Sequence, residues 1–125
     1  MLIWRRLFLL CCLLLLGCEE DDEALTGSEI AQLLKVERRI SFSGFRFSGA
    51  VTIRPNQTFD IEVRSLGKDK GRWWIEDDQL CSQWKTFRGG RTLCSSVRKK
   101  SVGNYEILRP GGSHKLATFR LDDKT

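Results

Sequence analysis

The chain has 125 residues, with 21 Lys and Arg against 16 Asp and Glu, one His and five Cys. That length holds one domain and excludes a multi-domain enzyme, and a single His excludes a multi-histidine metal centre. The net charge of +5 would ordinarily raise nucleic acid as a partner, but the N-terminal residues point away from any compartment that holds it.

Arg5 and Arg6 precede an apolar run over residues 7–16 built from Leu, Phe and Cys. The run suits a secretory signal and is too short to span a bilayer, which takes ~20 residues. Leu15-Leu16-Gly17-Cys18 closes it as a lipobox. The expectation is a diacylglycerol on the Cys18 sulfur, cleavage before Cys18, and acylation of the new amine with a fatty acid such as palmitate. Each buried CH₂ is worth ~0.8 kcal/mol, so several chains fix the protein to a membrane while one alone does not. The alternative is an uncleaved signal anchor. Arg5-Arg6-Leu7-Phe8-Leu9 has the outline of a twin-arginine signal, but Trp4 and Leu10 stand where Ser or Thr and Lys belong, which favours general secretion.

On this reading residues 1–17 are a removed lipoprotein signal peptide, 18–24 are the acylated Cys and an acidic tether, and 25–125 form a small domain. Without Arg5 and Arg6 the net charge falls to +3. Setting aside Glu19, Glu20, Asp21, Asp22 and Glu23 raises the remainder to +8, a basic domain on an acidic leash. Glu19, in place of an Asp after Cys18, favours the outer membrane, facing the periplasm of a bacterial cell envelope. The expected partners are the membrane, through the lipid on Cys18, and an envelope protein or an anionic envelope polymer; nucleic acid is not expected. Against this, the arginines are scattered along the chain, as on an ordinary solvated surface.

Thr26-Gly27-Ser28-Glu29 is a capping box, and Ile30, Leu33 and Leu34 follow at helical spacing, so one short amphipathic helix is expected over 27–36. From Arg38 the period changes to two. Ile40-Ser41-Phe42-Ser43, Phe45-Arg46-Phe47, Val51-Thr52-Ile53 and Phe59-Asp60-Ile61-Glu62-Val63 all alternate. Turns are expected at Pro55-Asn56-Gln57-Thr58, Gly67-Lys68-Asp69-Lys70-Gly71, Asp77-Asp78, Gly89-Gly90 and Arg109-Pro110-Gly111-Gly112-Ser113. The fold class is mainly β: an antiparallel meander of seven to eight strands forming a small barrel or curved sheet, with one short N-terminal helix. Large Phe, Ile and Trp at alternating positions suggest a filled interior.

Cys81 and Cys94 are the mature thiols besides Cys18, and an exported pair suggests a disulfide worth ~3 kcal/mol on the chain-entropy model. A two-residue turn at Gly89-Gly90 would set Cys94 opposite Lys85 instead, so a bridge demands a longer loop or a bulge; two buried reduced thiols are the alternative. Trp73 and Trp74, as strand neighbours, face opposite sides, so one lies outside the core. Trp73, Trp74, Trp84, Phe87, Arg88 and Arg91 are the candidate binding surface. His114 lies beside a glycine turn, and Glu76-Asp77-Asp78 lacks the spacing of a calcium loop. Neither a phosphate loop nor a nucleophile elbow is present, so no cofactor, no metal and no enzymatic activity are expected.

The stretch Leu25-Thr26-Gly27-x-Glu29-Ile30, a turn with Pro55 and Thr58, Gly71-x-Trp73, Asp78-x-Leu80-Cys81-x-x-Trp84 and Cys94 resembles an uncharacterised family of small exported proteobacterial proteins. The likeness covers residues 25–121; Asn56-Gln57 in the turn and the additional Trp74 depart from its pattern. The resemblance implies export and a β domain and brings no catalytic residues. The functional expectation is a membrane-anchored binding or envelope-maintenance module. The alternatives are an inhibitor of a cell-wall-degrading enzyme, with loop 87–91 entering a lysozyme-like cleft, and a carrier of a small hydrophobic ligand.

Overall fold

Strict alternation along a strand commits one face to water and the other to a core, and eight such strands meet both demands by rolling up. The computed structural model describes residues 24–44, 46–109 and 114–122. The expected signal peptide, Cys18 and the acidic run lie outside them. A helix, α1 (Gly27–Leu33), precedes β1 (Arg38–Gly44), β2 (Ser48–Ile53), β3 (Thr58–Val63), β4 (Gly67–Glu76), β5 (Gln79–Trp84), β6 (Thr92–Ser101), β7 (Asn104–Leu108) and β8 (Lys115–Leu121). Each strand pairs antiparallel with the next, and β8 returns to β1 in a register running from Ile40↔Leu121 to Gly44↔Ala117. The sheet is thus a closed barrel, and no strand is left with an unpaired edge.

Apolar side chains point inward: Ile40 on β1, Ile53 on β2, Phe59, Ile61 and Val63 on β3, Trp73 on β4, Val97 on β6 and Phe119 on β8. Outward positions of β3 and β4 carry Asp60, Glu62, Lys68, Lys70 and Arg72, all exposed. An apolar interior under a charged exterior is the reverse of a membrane-spanning barrel, whose apolar band faces out. Gly71 lies opposite Phe59 on β3. A Cβ there would come within 2.2 Å of the Gln83 carbonyl and 2.7 Å of Phe59 Cζ, so the bare glycine backbone is what admits the Phe59 ring against the wall.

The turns follow local chemistry. Asp77 and Asp78 both take positive φ, 49° and 58°, as a two-residue hairpin turn requires. Asn56 Oδ1 accepts from Thr58 N at 3.2 Å and from Thr58 Oγ1 at 2.6 Å, bracing the β2–β3 turn. Two expectations are corrected. Residues 67–71 are not a turn: they pair with β3 from Val63↔Gly67 to Phe59↔Gly71, and the reversal falls on Arg64, Ser65 and Leu66. Arg46 and Phe47 belong to the β1–β2 connection and not to a strand of their own. In both places a residue pattern compatible with either state is decided by register, because one residue of slip would turn every inward side chain outward. Most of the expected turn at 109–113 lies outside the described residues.

The helix forms where the capping box places it. Glu29 N–H donates to Thr26 Oγ1 at 3.2 Å, and Thr26 N–H donates to Glu29 Oε1 at 3.0 Å. It ends at Leu33, one turn short of the expected 36. Ile30 and Leu34 are buried among the barrel's inward residues, and Gly27 N–H donates to Asp78 Oδ1 at 2.7 Å in the β4–β5 turn. These contacts seat α1 across the barrel end that carries the 54–57, 77–78 and 102–103 turns. Just before it, Ala24 bridges to Arg98 on β6.

Candidate functional site

Within the barrel is a cavity of about 570 Å³. This corrects the expectation of a filled interior: the large side chains coat the wall and leave a hollow between them. Val51, Ile61 and Val63 on one side and Ile107, Ala117 and Phe119 on the other form much of the apolar wall. Ile30 and Leu33 of α1 and its C-cap Leu34 floor it. No residue of the turns beside α1 lines it. At the opposite end the lining continues to the rim, through Arg46 and Phe47, Leu66, Phe87 and Arg88, and Arg109, Lys115 and Leu116. Among the described residues the barrel is therefore a cup, plugged by a helix and open at the end bearing the β1–β2, β3–β4, β5–β6 and β7–β8 connections. Small-molecule pockets typically fall at ~300–1,000 Å³, and eight strands enclose room for one small ligand.

The rim combines oil and positive charge. Phe47 is 46% exposed and Leu66 54% exposed, large apolar side chains held in water at the mouth. Arg46, Arg88, Arg109 and Lys115 line the same opening, and no Asp or Glu among the described residues does. Two polar side chains sit deeper, and they differ. Ser82 Oγ accepts from Trp84 Nε1 at 3.2 Å, whereas Ser95 Oγ is buried with no hydrogen-bond partner among the described residues. A buried hydroxyl left in that state costs ~1–3 kcal/mol.

The expected disulfide is present: Cys81 and Cys94 are directly paired on β5 and β6, with Cα atoms 4.0 Å apart. The longer connection it demanded is supplied by residues 85–91, which include a 3-10 turn over Phe87–Gly90 with Arg88 and Gly89 at positive φ. Asp69 on β4 organises this loop, its Oδ2 accepting from Thr86 N–H at 3.0 Å and Phe87 N–H at 2.8 Å. Although desolvation works against its charge, these backbone donors hold the Asp69 carboxyl below its ordinary value. Glu76, Cys81 and Cys94 draw close together on the outer wall. With both sulfurs in the disulfide, neither offers the thiolate a metal would need.

Of the candidate surface, the structure brings Trp73, Trp84, Phe87 and Arg88 together on the cavity. Trp73 is buried, its Nε1 donating to Arg54 O at 2.8 Å. Trp84 packs edge-on to Phe59 at 5.5 Å between ring centroids and meets Phe87 at 6.1 Å. Trp74 points outward, as its neighbour's burial requires, and donates from Nε1 to Glu76 Oε2 at 3.2 Å. Arg91 is exposed and does not line the cavity, and His114 is exposed with its carbonyl accepting from Arg109 N–H. Sequence reasoning missed Phe47, Leu66, Arg109 and Lys115. Phe47, Leu66 and Arg109 stand on three different connections and Lys115 opens β8, and only closure of the ring assembles them. A second hollow of about 620 Å³ lies on the outer face of β2–β4, open and lined by charges of both signs, including Asp60, Glu62, Lys68 and Lys70.

Comparison with known proteins adds no identity: no family model, no curated protein and no solved structure matches the chain.

Proposed function

We propose that this chain is a lipid-anchored protein of the bacterial envelope whose barrel takes up one small hydrophobic ligand. The observation that carries the reading is the apolar cavity inside a closed eight-stranded barrel, plugged at one end by α1 and open at the other. Burial of apolar surface supplies the affinity, at ~25 cal/mol per Å² removed from water, and nothing in the reading requires a reaction. The lipid on Cys18 supplies the address. The described chain begins at Ala24, which bridges to Arg98 in the half of β6 nearer the plugged end. The inhibitor reading needs an aromatic tip standing clear of the body, and Phe87 instead turns inward onto Trp84.

A chain of residues 19–125 keeps every described strand, the helix and both cysteines, so it is the form to test. A neutral apolar fluorophore such as N-phenyl-1-naphthylamine should bind it saturably at one site with a blue-shifted emission. Non-saturable or absent uptake would remove the reading. The anchor is tested separately, by the intact mass of the protein extracted from membranes: a chain beginning at Cys18 and carrying acyl groups is expected, and one still carrying Met1 would overturn it.

A further inference from the structure

We infer that the barrel's ligand is a single-chain anionic amphiphile, seated with its hydrocarbon tail in the cavity and its negative head at the rim among Arg88, Arg109 and Lys115. This rests on the cavity being a ligand site and specifies which ligand.

The wall is largely apolar, broken at depth only by the hydroxyls of Ser82 and Ser95, and charge appears only at the mouth. That gradient matches a molecule with one oily end and one polar end, and the sign of the rim fixes the sign of the head. All four charged side chains lining the cavity are cationic. Among the described residues Arg88 and Arg109 have no carboxylate within ion-pair distance, and Lys115 stands 4.0 Å from Glu106. The carboxylate nearest this loop, Asp69, directs its Oδ2 to the Thr86 and Phe87 N–H groups. A guanidinium presents paired N–H donors to a carboxylate or phosphate, so Arg88 and Arg109 suit either head chemistry. Phe47 and Leu66 flank the entry and cover the first carbons below the head. The volume argues for one chain: with each methylene filling nearly the ~30 Å³ of a water molecule, about 570 Å³ takes at most on the order of 20 carbons, enough for one tail of ordinary length and not for two.

The test is displacement of N-phenyl-1-naphthylamine from the oxidised 19–125 chain by a set of equal tails: dodecanoate, dodecyl phosphate, dodecanol and dodecyltrimethylammonium, all below their micelle-forming concentrations. The two anions should displace the fluorophore at about tenfold lower concentration than the alcohol, the gain of one charge-assisted hydrogen bond. The cation should be weakest. Raising salt from 50 mM to 1 M should narrow the gap between anions and alcohol, since exposed charges are screened. Arg88→Gln combined with Arg109→Gln should bring the anion-to-alcohol ratio of displacing concentrations close to one. Equal displacement by anion and alcohol, with no salt dependence in the unmodified chain, overturns the inference and leaves the carrier reading intact. A chain that binds neither fluorophore nor any amphiphile overturns both. Because the salt titration uses the unmodified chain, it decides the question even if the double variant fails to fold.

Discussion

Replacing Ala117 by Phe distinguishes an open barrel from a packed one by the sign of a single number. Ala117 lines the cavity on β8 and lies opposite Gly44 on β1, so no side chain faces it across that pair. A phenyl ring there enters the hollow without displacing a wall residue. Full burial of a Phe side chain is worth ~1.5–3 kcal/mol; less the ordering of its rotamers, the gain should be about 1–2 kcal/mol. In a barrel of this size that raises Tm by roughly 5–12 °C. In a packed interior the same ring would have to push its neighbours aside, costing ~1–3 kcal/mol. Urea denaturation of the oxidised chain, with fluorophore titration on the same samples, measures both consequences: stability should rise while apolar uptake falls about tenfold or more. A destabilised variant with undiminished uptake would refute the open-cup description.

Three further outcomes follow from contacts away from the cavity. Reducing the Cys81–Cys94 bridge, or replacing both residues by Ser, should cost ~3 kcal/mol in chemical denaturation, and an unchanged midpoint would refute a constraining role. Glu106 is 6% exposed and pairs with Arg98 at 3.1 Å, so Arg98→Met should cost about 2–3 kcal/mol, below the value for a fully buried pair because Arg98 keeps solvent contact. Adding Glu106→Leu to that variant should recover most of the loss, and failure to do so in a double-mutant cycle would refute the coupling. Asp69, held below its ordinary value of 3.8, stabilises the 85–91 loop fully above that pH and loses its contribution as pH falls through the lower folded value. The amide resonances of Thr86 and Phe87 should move together in that acid range and stay still in Asp69→Ala.

Alternation in Phe59-Asp60-Ile61-Glu62-Val63 was enough to read a strand and its inward face, and the capping box at Thr26 located the helix. The pair Cys81 and Cys94 was legible as a disulfide, but not its register, since the two glycines suggested a tighter turn than the loop braced by Asp69. The cavity was not legible. Whether Phe, Ile and Trp side chains touch across an axis depends on barrel radius, which no local window records. The rim was hidden for a related reason: Phe47, Leu66, Arg88 and Arg109 are scattered in the chain, and each alone reads as an ordinary loop residue.

The seam between β1 and β8 sets the timing of assembly. Each hairpin can form as its two strands appear, and the Cys81–Cys94 bridge can close within one of them. The ring waits for the last strand, because Ile40, already paired with Val51, finds its second partner only when Leu121 is available. Such sequence-distant closure slows folding, and until it happens β1 and β7 are raw edges beside an uncovered apolar face. A chain truncated before Lys115 would therefore not yield a smaller vessel but a sticky open sheet, inclined to pair edge to edge with its own copies.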